Sequence, residues 1–171
     1  AAAEAAKSRK LDGKYVIALL NTTGQPSLTN LEDRALRQKI YEASISRGSR
    51  GGEYDNTALV SRIMTLRADK AKLLGFPTFA AYSLQNQTAK TPEAVNAMLG
   101  QLAPPAVANA RREAAELQAM IDAGQKAAGK PTFQLQAWDW AYYSEKVRQA
   151  KYAFDESQLK PYFEMKNVLE N

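Results

Sequence analysis

From Ser27 onward the apolar residues return every three to five positions, a period that buries one face of a helix and cannot bury one face of a strand. Leu28, Leu31, Ala35, Ile40, Ala43 and Ile45 form the first such series, with Thr29 and Glu32 spaced as a capping box. It predicts a helix to about Arg47, where Gly48, Gly51 and Gly52 break it. Asp55 is placed to cap a second helix whose buried face would be Leu59, Ile63, Leu66, Leu73 and Leu74, with Gly75 as the left-handed stop. Pro77 opens a short helix carrying Phe79 and Tyr82.

Thr91-Pro92-Glu93 is a stronger start signal, because a threonine cap, a proline already at helical φ and an acid at the positive helix end agree. Val95, Met98, Leu99 and Leu102 would be its buried face. Pro104-Pro105 should kink or restart it, after which Val107, Ala110, Ala114, Leu117 and Ile121 continue to about Ala128, with Gly124 and Gly129 at the fraying end. A connector follows, then helical spacing from Trp138 to Ala153 through Tyr142, Val147 and Tyr152. Asp155, Gln158 and Pro161 suggest the start of a last helix. Only Tyr15 to Leu20, rich in β-branched and aliphatic residues, reads as extended, and the turn formers Asn21 to Pro26 close it. The expectation is an all-α fold of antiparallel helices with short connections, residues 1–171 forming one helical segment.

Composition then removes most chemistry. The 171 residues contain no Cys and no His. Disulfides, thiolate ligands, a cysteine nucleophile and imidazole bases are thereby excluded within this chain. Hydrophobic residues at 45% suffice for a core, yet the longest apolar run is far short of the ~20 residues a bilayer demands. No membrane association is expected. The opening AAAEAAKSRK lacks the apolar core of a secretory signal, and the end at Leu169-Glu170-Asn171 falls inside a helix-like stretch, as if cut from something longer.

With His and Cys absent, carboxylates are the remaining acid–base candidates. Glu113 and Glu116 share a helix face and Asp155 and Glu156 are adjacent, but surface helices and caps ordinarily carry such charges. Ser49-Arg50-Gly51-Gly52 is glycine-rich and basic without the spacing of a phosphate-binding loop. The net charge is +5, but the basic stretches Lys7 to Lys10, Arg47 to Arg50 and Arg111-Arg112 are scattered, and acids flank two of them. Nucleic acid is not an expected partner. The densest aromatic group, Trp138, Trp140, Tyr142 and Tyr143, suits either core packing or a partner-binding surface.

Read in order, several stretches resemble the amino-terminal half of bacterial dipeptidyl carboxypeptidases, thimet-oligopeptidase-like zinc metallopeptidases. They are LLNTTGQPSL at Leu19 to Leu28, Asp55-Asn56-Thr57, LRADKAKLLGF at Leu66 to Phe76 and AKTPEAV at Ala89 to Val95. WDWAYYSEKVRQAKYAFDESQLKPYF, Trp138 to Phe163, completes the series. Thr88 departs from the family, which often has Met there. The resemblance implies a parent enzyme that removes dipeptides from the carboxyl end of short peptides, with zinc held by two histidines of an H-E-x-x-H helix and a downstream glutamate.

Nothing in this sequence matches that motif, so no catalytic or metal-binding residue is assigned and no substrate-binding residue is named. The expected role is a helical wall of a channel that admits short peptides and excludes folded proteins. The segment alone should be inert and bind no zinc, its partner being the carboxyl-terminal catalytic half. The aromatic residues from Trp138 to Phe163 would face that half. The competing expectation is an independent helical interaction module using Trp138 to Tyr143 as its surface. Cytoplasm and periplasm both stay open.

Overall fold

A computed structural model describes residues 2–20 and 24–152, together with Phe163, Met165 and Leu169. The described residues form helices and no strand. They are α1 (Ala2–Lys7), α2 (Ser27–Asn30), α3 (Arg34–Ile45), α4 (Thr57–Leu73), α5 (Phe79–Leu84), α6 (Pro92–Ala127) and α7 (Trp140–Tyr152). The cap expected at Asp155 and Gln158, the helix start at Pro161 and the Asp155-Glu156 pair lie outside the described residues, as does Tyr162.

Tyr15 to Leu20 lies in no helix and pairs in no sheet. Its end is tied down by side chains instead, with Arg47 Nη1 donating to the Leu20 carbonyl (2.6 Å) beside the buried Gln25. The Gln25 amide donates to the Leu20 carbonyl (3.1 Å) and to Ser44 Oγ of α3 (3.0 Å), and its oxygen accepts from Leu20 N (3.0 Å). Backbone groups that a ladder would have satisfied are thus paired by side chains.

The helix ends divide into those set locally and those set from a distance. Thr91 Oγ1 accepts from Ala94 N with Pro92 in the first turn, and Gly75 and Gly129 take positive φ at the expected stops. Thr91→Ala is expected to cost about 1 kcal/mol and Thr91→Gly only a few tenths, read as shifts of the urea midpoint.

Other boundaries differ from the sequence expectation. The segment from Leu28 to Arg47 is two helices, because Leu31 is extended and the cap is Asp33, whose carboxylate accepts from Leu36 N (3.0 Å), not a Thr29–Glu32 box. Asn56 rather than Asp55 precedes α4, although Asp55 Oδ1 still accepts from Thr57 N. Thr78, not Pro77, caps α5, and α7 begins at Trp140. Pro104 and Pro105 lie inside the continuous α6. Their missing N–H groups leave the carbonyls of Gly100 and Gln101, both exposed residues, open to solvent, so the loss is tolerated.

α6 is the spine. Its carboxyl-terminal half packs on α7, which also packs on α2, while α5 bridges α4 to α6. Leu117 and Ile121 of α6, Leu28 of α2 and Ile40 of α3 are buried. The expected burial along α4 is corrected: Leu59, Ile63, Leu66 and Leu74 are exposed, and Leu73 is 87% exposed. Met98, Leu99 and Leu102 of α6 are exposed as well. Periodicity identified the apolar stripe; the described residues supply only part of what would cover it.

Candidate functional site

The only extensive buried polar cluster among the described residues joins α3 to the start of α7. Arg34 and Arg37 are one turn apart on α3, and both reach Asp139. Arg34 donates through Nε (3.0 and 3.1 Å) and Nη2 (2.9 Å), and Arg37 through Nη2 (2.8 Å). Gln136 N adds a fourth donor group at 3.1 Å. Asp139 is wholly buried and Arg37 is 1% exposed. Two guanidinium groups against one carboxylate leave a positive surplus, which the surroundings offset. Arg37 Nη1 donates to the carbonyls of Leu31 (2.8 Å) and Glu32 (3.0 Å), the groups released where the chain breaks between α2 and α3. That break therefore belongs to this cluster.

Arg37 Nε is buried without a hydrogen-bond partner, and aromatic faces lie against both guanidinium groups. The Arg34 guanidinium lies 4.2 Å from the Phe133 ring centre, and that of Arg37 lies 4.4 Å from Tyr142. Tyr143 meets Tyr142 edge-on at 5.1 Å, and Trp138 packs against Tyr41. Burial holds the Tyr143 phenol above its ordinary pKa, with the Arg37 charge opposing the rise. Trp138, Trp140, Tyr142 and Tyr143 are half-buried, and Trp138, Tyr142 and Tyr143 lie against the cluster. The aromatic face expected to be bare near the chain's end is thus occupied over this group, although Phe163 is exposed. Trp140 also borders an open cavity of about 390 Å³ with Pro26, Leu28 and Tyr41, and no charged side chain lines it.

The connector before Asp139 is laid along α6 by Gln118. Its amide donates to the Phe133 carbonyl (2.9 Å) and to Asp122 Oδ1 (3.0 Å), and its oxygen accepts from Leu135 N (2.8 Å). Thr132 Oγ also donates to Asp122. These bonds, Thr132 first and Gln118 second, hold the Asp122 carboxyl below the usual carboxylate range. A lowered folded value means stabilisation that is present above the ordinary carboxylate range and lost as pH falls through the folded value. The carboxyl NMR titration of Asp122 should accordingly have its midpoint below that of an unbonded aspartate, and Thr132→Val should move it upward.

The other sequence candidates do not converge. Glu113 accepts from Asn109 Nδ2 (2.6 Å), whereas Glu116 pairs with Lys151 of α7, so the two carboxylates serve different partners. In the Ser49 to Gly52 loop, Gly51 N donates to Asp55 Oδ2 (2.6 Å) and Arg50 Nε to Ser46 Oγ (2.9 Å). A phosphate would find that amide and that guanidinium already bonded. The thiol- and imidazole-free donor set does not fit zinc, and no group of three or more Asp or Glu side chains is gathered among the described residues. No described helix is long and apolar enough to cross a membrane.

Sequence comparison decides what this scaffold belongs to. The model of peptidase family M3 matches residues 27–171. The chain belongs to peptidase family M3. It is 44% identical to the dipeptidyl carboxypeptidase of Salmonella typhimurium (strain LT2) over 169 residues, covering 99% of this chain and 24% of that protein. To the dipeptidyl carboxypeptidase of Escherichia coli (strain K12) it is 45% identical over 168 residues, covering 98% and 24%. The Escherichia coli oligopeptidase A is 36% identical over 171 residues, covering 95% and 24%. This M3 chain therefore spans about a quarter of the length of the curated relatives it matches. Family M3 members are zinc-dependent hydrolases.

Proposed function

We propose that the chain is a helical wall segment of a zinc metallopeptidase that releases dipeptides from the carboxyl end of short peptides. It contributes channel architecture and selection by access, and no catalytic residue. The observation that carries this reading is the identity of 44–45% to dipeptidyl carboxypeptidases across 98–99% of the chain, against 36% to an oligopeptidase A. The lack of His and Cys supports the division of labour, because the metal and its water must be held by the rest of such an enzyme. Its partner is accordingly the catalytic part of that enzyme, and its substrates are short peptides.

A chimera tests this directly. When this chain replaces the matched stretch of the Escherichia coli dipeptidyl carboxypeptidase, chelator-sensitive release of carboxyl-terminal dipeptides should persist within about tenfold of the host, a barrier change of roughly 1.4 kcal/mol. A folded, zinc-loaded chimera that releases no dipeptides would contradict the proposal.

A further inference from the structure

The apolar stripe of α6 is buried at one end and bare at the other, and that of α4 is bare at Leu59, Ile63, Leu66, Leu73 and Leu74. On α4, α5 sits over the carboxyl-terminal turns: the Arg67 guanidinium lies 5.1 Å from the Phe79 ring, Lys70 Nζ 4.9 Å from the Tyr82 ring, and Ala71 is buried. The stripe continues toward the helix start through Ile63 and Leu59, which are 46% and 60% exposed. On α6, Leu99 and Leu117 stand eighteen residues apart, about five turns at ~3.6 residues per turn, and so lie on one side of the helix. Leu117 is 4% exposed, whereas Leu99 is 48% exposed. α4 thus presents a bare apolar stripe, and α6 one that stops being buried partway along. Isolated exposed leucines need no explanation, but bare stripes on two helices that α5 bridges mark an interface.

We infer that the amino-terminal turns of α4 around Ile63 and the amino-terminal half of α6 around Leu99 form the seam on which the remainder of an M3 peptidase chain packs. This rests on the proposed function for the identity of that remainder. Two observations choose it over a second copy of this chain. The relatives continue the same polypeptide for about three quarters of their length beyond the matched stretch, so the occupant is supplied covalently. The bare turns of α6 also extend a stripe whose other end, at Leu117 and Ile121, is already buried within this chain. The seam is moreover separate from the Trp138–Tyr143 group, which is packed inward.

The absence of cysteine makes the test clean. Ile63→Cys and Leu99→Cys are introduced singly into the chain and into the chimera with the Escherichia coli dipeptidyl carboxypeptidase, with Arg50→Cys as an exposed control, and labelling by a thiol reagent is localised by mass spectrometry. Positions 63 and 99 should react at the control's rate in the chain alone and about a hundredfold more slowly in the chimera, as sites reached only by local opening do. Equal rates in both contexts would overturn the inference. So would protection in the chain alone that grows with its concentration, which points to a second copy, and so would a chimera that fails to fold where the host folds. Dipeptide release separates the two proposals: protected thiols without release keep the seam and discard the function, and release with unprotected thiols does the reverse.

Discussion

Asp139→Ala should destabilise the chain by about 3–5 kcal/mol, the loss expected when one partner of a buried ion cluster is removed and the others stay uncompensated. Asp139 is wholly buried, and its two oxygens receive Arg34, Arg37 and Gln136 N together. Truncation leaves the Arg37 guanidinium, 1% exposed, with only the Leu31 and Glu32 carbonyls and the Tyr142 face. The same loss would free the start of α7 from α3 and loosen the break that precedes α3. Replacing Arg34, Arg37 and Asp139 together by apolar residues of similar volume should recover much of the loss, because buried charge clusters fix geometry more than they add net stability. A urea midpoint unmoved by Asp139→Ala would show that the cluster does not hold these elements together.

Ile121→Ala is expected to cost about 2–5 kcal/mol, since the side chain is 1% exposed and its removal leaves a cavity. Leu73→Ala should stay within roughly 0.5 kcal/mol in this chain, because Leu73 is 87% exposed. The sequence pattern alone ranks the two alike: each is an apolar residue on an amphipathic helix. Their separation by denaturant unfolding tests the assignment of α4's stripe as bare and of α6's carboxyl-terminal turns as buried. Equal losses at the two positions would refute it.

That contrast shows where the sequence is legible. Helix identity and the caps at Thr91, Gly75 and Gly129 depend on residues within one or two turns, and local chemistry specifies them. The break after Asn30 depends on Arg37 reaching Leu31 and Glu32 while bound to Asp139 about a hundred residues away, and no window-sized pattern encodes that. Arg34 and Arg37 were not singled out for the same reason. Two arginines three positions apart ordinarily describe a solvated helix face. The aromatic residues from Trp138 to Tyr143 offered a signal, but only their long-range partners show that their faces serve α3. The burial of Leu59 to Leu74 was misjudged because periodicity reports which face is apolar, not what lies against it. Family membership was legible through the order and spacing of whole stretches, from Leu19 to Phe163, rather than through any single motif.

In the proposed function this chain supplies scaffold and leaves the chemistry to the rest of an M3 peptidase. The most direct measurement is zinc content and hydrolysis by the purified 171-residue chain, incubated with zinc and an amino-blocked tripeptide at neutral pH and then dialysed. The predicted result is no retained zinc and no dipeptide released above buffer. Stoichiometric zinc together with dipeptide release that co-purifies with the chain and is abolished by a chelator would contradict it.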